Sequence, residues 1–163
     1  MTGLARFNAM SGDDAERNLH ACLARGAWAH RVACGRPYED LNALLAAAES
    51  AWAELVPRDW MKAIAAHPSI GERGGHSPAA SEREQSRVNQ AAQQTLAALA
   101  ADNRRYEARF GHTFLIAASG RSAEEILEEL QRRMSNEPVA EAAVAAEELR
   151  KITRLRLEQM VRD

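Results

Sequence analysis

Two side chains of this sequence, an imidazole and a carboxylate, could together move a proton. His67 follows a helix that Pro57 opens, and that helix should end at His67 because Pro68 disfavours helical geometry in the residue before it. The negative end of the helix dipole favours a charged imidazolium, so His67 could act as a general acid near neutral pH. The position by itself favours a purely structural role, in which His67 hydrogen-bonds one of the last helix carbonyls.

The carboxylate is that of Glu84. The spacing Ser81-x-x-Glu84 is that of a capping box, which predicts the start of a long helix and a structural role for Glu84. The functional alternative is that the first helical turn exposes N–H groups that bind anions, with Gln85 adding polarity. A small acid docked there would be held by the amides while Glu84 and His67 act on its reactive centre.

A third candidate is a stretch of backbone within the apolar run 110–120, which glycines bound and which we expect to be extended and buried. Its residues are Ile116, Ala117, Ala118, Ser119 and Gly120. Extended backbone that is not fully paired presents N–H and C=O groups to a flat, amide-rich ligand. The same pattern suits a linker that crosses the core, and the sequence leaves both readings open.

The sequence lacks the motifs of metal-binding and nucleotide-binding sites. His67, His76 and His112 do not have the spacing of a helical metal pair and no cysteine lies near them, so we expect no metal site. No nucleotide-binding glycine fingerprint or Walker sequence is present. Arg156 should lie beside the apolar stripe of the last helix, where internal pairing is favoured over anion binding.

The elements that must position these groups are helices. The chain has 34 alanines against nine glycines and five prolines, and alanine is the best helix former. We expect an all-α, single-domain bundle of seven to nine helices over residues 1–163, with one long loop at 68–80 and one short extended segment. The first predicted helices are two short ones between Ser11 and Val32, one at Leu41–Trp52, one from Pro57 to His67 and one from Ser81 to about Arg109. Two more follow, one capped by Ser122 and a last one capped by Asn136. The apolar stripe of the last helix consists of Leu149, Ile152, Leu155 and Met160.

The composition limits the kinds of binding partner and the compartment that we expect for this protein. The net charge is −2, with 21 basic and 23 acidic residues in no long block, which disfavours nucleic-acid binding. No apolar run is long enough for a membrane helix and the N-terminus does not resemble a signal peptide, so we expect a cytoplasmic protein. Cys22 and Cys34 are too few for a disulfide framework and are both expected to be buried thiols.

Taken together, a series of motifs resembles the 2-oxo-4-hydroxy-4-carboxy-5-ureidoimidazoline (OHCU) decarboxylase family. The motifs are Phe7-Asn8, His67-Pro68-Ser69-Ile70-Gly71-Glu72, Ser81-x-x-Glu84-Gln85, Phe110-Gly111 with Phe114-Leu115-Ile116, Gly120-Arg121-Ser122 with Glu125-Ile126-Leu127, Asn136, and Ile152-x-Arg154-Leu155-Arg156-Leu157. Their order and separations match those of the family and cover essentially the whole chain.

The resemblance implies an all-helical, cofactor-free homodimer that decarboxylates a small ureidoimidazoline to (S)-allantoin in urate degradation. It places the catalytic proton donor at His67, substrate contacts at Pro68 and at Ser81, Glu84 and Gln85, and backbone contacts at residues 116–120. We assign Glu84 the role of orienting the substrate.

Two alternatives belong to other functional classes. A non-catalytic helical module with the same fold could bind a ureide or a pathway partner. A metal-dependent amidohydrolase acting on ureides would need a metal site, which the histidine spacing does not support.

Overall fold

The computed structural model describes residues 1–67 and 93–163. Within these ranges the protein has eight helices and no strand, as expected for an all-α fold. The helices are α1 (Gly3–Ala9), α2 (Gly12–Cys22), α3 (Gly26–Cys34), α4 (Leu41–Trp52), α5 (Pro57–Ala65), α6 (Gln93–Phe110), α7 (Ala123–Arg133) and α8 (Pro138–Met160). No helix in the described ranges is both long and apolar enough to cross a membrane. The predicted loop 68–80 and the capping box at Ser81 lie outside the described residues.

The predicted helix starts are confirmed where serine supplies the cap. The Ser11 Oγ accepts from the Asp14 N–H at 3.1 Å, and the Ser122 Oγ accepts from the Glu125 N–H at the same distance. Asn136 does not cap the last helix as predicted. It lies two residues before Pro138, and its side-chain amide donates instead to the Glu141 carboxylate.

The described residues form two compact units, one made of residues 1–63 and 150–163 and the other of residues 64–67 and 93–149. In the first unit, helix α1 buries Phe7 completely, although the sequence analysis placed no helix there. Trp28 is also buried and donates from Nε1 to the Ala48 carbonyl at 3.2 Å. Cys22 is buried as predicted, but Cys34 is exposed because it ends α3 on its outer side.

The apolar stripe of α8 differs from the predicted one. Leu149 and Leu157 are buried, and Thr153 occupies the buried position between them, whereas Leu155 is 40% exposed. At 3.6 residues per turn, Leu155 lies about 240° around the helix from Leu149, which places it on another face. Arg156 is half-buried beside the stripe, as expected, and donates to the Ala21 carbonyl at 3.5 Å.

The second unit has a core in which α6 and α7 pack against the segment between them. Its buried members are Leu99, Tyr106, Phe114, Ile116, Ile126 and Leu130. Residues 113–118 form no helix, and Phe114, Leu115 and Ile116 are buried, as expected for this part of the run 110–120. The prediction is wrong at both ends of the run, because Phe110 belongs to α6 and Ser119 and Gly120 are exposed. This segment holds all the described candidate site residues except His67.

Candidate functional site

His67 lies just beyond the C-terminal end of α5, two residues after Ala65. Its backbone N–H donates to the Ile64 carbonyl at 3.0 Å, which closes the last turn of the chain before Pro68. Ile64 is completely buried and anchors this turn, while His67 is half-buried. His67 therefore follows a helix end, as predicted, although the helix ends earlier than His67.

Four predicted substrate-binding residues, Pro68, Ser81, Glu84 and Gln85, lie outside the described residues, and their roles remain predictions. The other part of the predicted site, residues 116–120, lies in the same compact unit as His67.

The segment 116–120 ends in a tight turn. The Ala118 carbonyl accepts from the Arg121 N–H at 3.0 Å, and Gly120 at the third position of the turn has φ +80°. A positive φ at that position is typical of a type II turn and favours glycine. Ser119 and Gly120 are exposed at the tip. Within the described part of the chain, the N–H groups of Ala118, Ser119 and Gly120 have no protein acceptor, so they can donate to a ligand.

A buried arginine supports this segment from one side. Arg133 has 0% exposure, and its Nη1 donates to the Leu115 carbonyl at 2.7 Å. Its guanidinium carbon also lies 4.5 Å from the centre of the Phe114 ring. The arginine of α7 therefore fixes both the backbone and a side chain of the segment.

The charge of Arg133 is balanced by Glu141, which is likewise 0% exposed. The Arg133 Nε donates to Glu141 Oε1 at 2.7 Å, and the Tyr106 hydroxyl donates to the same oxygen at 2.6 Å. Asn136 Nδ2 donates to the second carboxylate oxygen at 3.0 Å. Both oxygens of the buried carboxylate are thus satisfied, which a buried charge requires.

Burial and the neighbouring Glu141 carboxylate raise the pKa of Tyr106 well above its usual value, and Arg133 opposes this shift only in part. Tyr106 consequently stays protonated and continues to donate to Glu141 throughout the physiological pH range. Its ring packs edge-on against Phe114 with the ring centres 5.2 Å apart, which adds a further contact to the segment.

A second carboxylate holds the segment two residues further on. Glu148 of α8 is 6% exposed, and its Oε1 accepts from the Ala117 N–H at 3.2 Å. The carbonyl of Leu115 and the N–H of Ala117 are therefore both held by charged side chains. Among the described residues, the N–H groups without an acceptor begin at Ala118, one residue after Ala117. The backbone that could bind a ligand is therefore attached directly to backbone that side chains hold in place.

Arg133, Glu141 and Glu148 were not among the residues predicted from the sequence, although the sequence contains a signal for each. Arg133 follows Leu130 by three positions and therefore lies on the apolar face of α7, where a charged residue is unusual. Glu141 and Glu148 belong to the buried face of α8 that includes Ala145 and Leu149. Charged residues on an apolar face are the pattern that would have identified them.

In residues 1–67 and 93–163, no three histidine, cysteine, aspartate or glutamate side chains form a group that could hold a metal ion. The fold and the site together define the class of this protein. It is an all-α protein with two sets of candidate residues, a histidine after a helix end and a supported, partly open loop backbone.

Residues 8–158 match the model of the OHCU decarboxylase family. This match covers nearly the whole sequence, and the chain belongs to the OHCU decarboxylase family.

Curated relatives agree with this assignment. The chain is 30% identical over 161 residues, 94% of its length, to the "Uric acid degradation bifunctional protein TTL" of Arabidopsis thaliana, and it covers 49% of that protein. It is 44% identical over 59 residues, 36% of its length, to the "2-oxo-4-hydroxy-4-carboxy-5-ureidoimidazoline decarboxylase" of Amia calva, and the match covers 34% of that protein. The chain thus spans about half and about a third of these two relatives.

A solved structure described as "OHCU decarboxylase in the presence of (S)-allantoin" resembles the chain with a TM-score of 0.75 and 30% sequence identity. The similarity covers 87% of this chain and 95% of that one. Unlike the curated relatives, this protein is matched over almost its entire length.

Proposed function

We propose that this chain catalyses the cofactor-independent decarboxylation of 2-oxo-4-hydroxy-4-carboxy-5-ureidoimidazoline to (S)-allantoin in urate catabolism. The observation that carries the proposal is the family match over residues 8–158. The similarity to an OHCU decarboxylase studied with (S)-allantoin, over almost all of that protein, supports the same substrate class.

The substrate supplies its own electron sink for this reaction. Loss of carbon dioxide from the carbon that bears the hydroxyl and carboxylate groups leaves an electron pair, which the neighbouring imine accepts. The protein must therefore hold the carboxylate out of the ring plane before the carbon–carbon bond breaks, and afterwards deliver a proton to one face of the ring. A positioned acid or base contributes about 10² to 10⁴-fold to such a step.

We assign the proton transfer to His67 and the orientation of ring or ureido nitrogens to Glu84, with Pro68, Ser81 and Gln85 as further substrate contacts. Ile116 and the backbone of Ala117, Ala118, Ser119 and Gly120 would bind the flat ureide portion. The open N–H groups at 118–120 support this role, because they lie beside backbone that Arg133 and Glu148 hold in place.

We also propose that residues 1–163 act as one catalytic domain and that the protein is a cytoplasmic homodimer. Cys22 and Cys34 are both free thiols, which suits a reducing compartment. Size-exclusion chromatography with light scattering measures the oligomeric state, and a monomeric mass at micromolar concentration would contradict the dimer.

The decisive assay follows the stereochemistry of the product, because the substrate also decays spontaneously to racemic allantoin. Urate is supplied with urate oxidase and hydroxyisourate hydrolase, and circular dichroism follows (S)-allantoin after the protein is added. A signal that appears faster than in the uncatalysed control supports the proposed activity. Binding of allantoin without any acceleration would instead favour a non-catalytic ureide-binding module.

The role of His67 is tested separately with His67→Asn, which should fold normally and lose enantioselective product formation. His20→Asn is the matched control, because His20 is an exposed histidine of α2 and should leave turnover unchanged. If the unsubstituted protein is active and His67→Asn turns over equally fast in a separate assay, His67 has no role in the mechanism. The decarboxylase assignment would then still stand.

A further inference from the structure

The first compact unit brings together a thiol, an imidazole and a carboxylate that the proposed decarboxylation does not use. His30 Nδ1 lies 2.6 Å from Glu16 Oε1, and His30 Nε2 lies 3.5 Å from Cys34 Sγ. His30 and Cys34 are four residues apart on α3, so their side chains lie on the same helix face. Glu16 reaches His30 from α2.

The contacts determine which nitrogen of a neutral imidazole carries the proton. A carboxylate can only accept hydrogen bonds, so His30 Nδ1 must carry a proton that it donates to Glu16. In the neutral ring this leaves Nε2 with a free electron pair that faces Cys34, and the Cys34 S–H donates to it. The order carboxylate, imidazole, thiol is the arrangement of an activated nucleophile with its base and orienting group.

The same geometry argues against a metal site at this position. Glu16 and Cys34 contact opposite nitrogens of one ring, so their oxygen and sulfur atoms cannot converge on a single ion together with either nitrogen.

We propose that Cys34 is a reactive thiol that undergoes thiol–disulfide exchange with small disulfides at the surface of α2 and α3. His30 Nε2 takes the thiol proton, and the Cys34 sulfur attacks one sulfur of the disulfide. A new S–S bond forms to Cys34 while the S–S bond of the small molecule breaks. The leaving thiolate takes the proton back from the imidazolium, so one disulfide is exchanged for another with no net oxidation.

The exposure of Cys34 and His30 supports the proposed reactivity of the thiol. Cys34 is exposed and 67% of the His30 side chain is accessible, so a small disulfide can reach the sulfur. The position at the end of α3 works against reaction, because the last helix carbonyls repel a negative sulfur. The imidazole beside Cys34 is therefore the feature on which the proposed reactivity depends.

Cys22 provides an internal reference in the same chain. It is 4% exposed, and its Sγ donates to the Asn18 carbonyl at 3.6 Å. Burial raises the pKa of Cys22 to about 11, and the nearby Arg156 opposes this only in part. Cys22 should therefore be inert at neutral pH while the protein is folded.

The test measures the rate at which the full-length protein reacts with 4,4′-dithiodipyridine, an uncharged disulfide, at pH 7. We expect one fast thiol in the native protein and two thiols in denaturant. Cys34→Ser should remove the fast reaction. His30→Gln should slow it roughly tenfold, because an ordinary cysteine has only a few per cent thiolate at pH 7. Glu16→Gln should slow it less, by about threefold, because the imidazole keeps an acceptor for its Nδ1 proton but loses the carboxylate charge that stabilises the imidazolium.

His20→Gln is the matched control for replacing an exposed histidine of the same unit, and it should react at the unsubstituted rate. Thermal unfolding followed by circular dichroism shows that the variants are folded. A fast reaction that persists in Cys34→Ser, or an unsubstituted rate in either His30→Gln or Glu16→Gln, overturns the proposal. None of these outcomes depends on whether the protein is a decarboxylase.

Discussion

Arg133 donates to the carbonyl of Leu115 across a separation of 18 residues in sequence, with Nη1 and the carbonyl oxygen 2.7 Å apart. The same guanidinium pairs with Glu141, and neither side chain is measurably exposed. One buried cation therefore connects α7, α8 and the segment that leads to the candidate site. Burying an ion pair costs desolvation energy, so the free energy of unfolding falls most when only one partner is removed and the other charge stays buried.

Arg133→Met should destabilise the protein by about 3–5 kcal/mol, since it leaves the Glu141 carboxylate buried without a cation and the Leu115 carbonyl without its donor. Urea unfolding at pH 7, followed by circular dichroism, measures the loss. The double variant Arg133→Met/Glu141→Gln should recover part of it, because the uncompensated negative charge is then gone.

The adjacent Arg132 provides the control for this experiment. Its side chain is 63% exposed and pairs with Glu129 one turn earlier on α7. Arg132→Met should leave the free energy of unfolding unchanged within error, because exposed ion pairs contribute little. Equal stabilities for Arg133→Met and Arg132→Met would contradict the structural role of the buried pair.

Local sequence signals were sufficient to predict most of the helices. Ser11 and Ser122 mark helix starts because a serine hydroxyl binds the amide three residues later, and this depends only on neighbouring residues. The expected position of His67 after a helix end follows in the same way, from the restriction that Pro68 imposes.

The support of the candidate site could not be predicted in this way. The sequence identified the backbone at 116–120, but the groups that hold it come from Arg133 and from Glu148, which is 31 residues from its partner Ala117. Their positions on apolar helix faces indicate that these two side chains are buried, but nothing local indicates which backbone groups they hold, because those groups are distant in sequence. The exposure of Cys34 was also missed, because two lone cysteines carry no periodic pattern to show which side of a helix they occupy.

Gly120→Ala tests the turn at the end of the backbone segment. At φ +80° a side chain is strained by roughly 1–2 kcal/mol, although no atom of the described residues, apart from Gly120 and its two chain neighbours, lies within 4 Å of the added Cβ. If residues 116–120 contact the substrate, the KM for the ureidoimidazoline should also rise about threefold to tenfold, which corresponds to one lost hydrogen bond. Urea unfolding and the circular dichroism assay measure the two effects.

Gly111→Ala is the matched variant, because Gly111, at the end of α6, has φ +77° and is equally free of contacts from the described residues. Both variants should lose similar stability, but only Gly120→Ala should raise KM. A KM that changes equally in both would indicate a general loss of order and would remove the turn from the proposed substrate contacts.

Glu148 should act as a positioning residue for the same segment. Glu148→Ala removes the acceptor of the Ala117 N–H and should raise KM severalfold with a smaller change in kcat, because the presented backbone loses one of its supports. Glu148→Gln keeps a carbonyl oxygen and should restore most of the affinity. Glu128→Ala, at an exposed position of α7, controls for loss of a carboxylate. A normal KM in Glu148→Ala would contradict this role.

The buried thiol of Cys22 should make stability fall at alkaline pH. Its folded-state pKa of about 11 lies above the unfolded value of about 8.5, so its contribution is fully present below the unfolded value and is lost as the pH rises through the folded one. The stability difference between the unsubstituted protein and Cys22→Ala should therefore shrink by about 2–3 kcal/mol between pH 8 and pH 11. Tyrosine and lysine titrations are common to both proteins and cancel. Cys34→Ala, which replaces the exposed thiol, is the control and should show a much smaller change in this stability difference over the same range. If the stability difference for Cys22→Ala does not change with pH, solvent reaches the Cys22 sulfur.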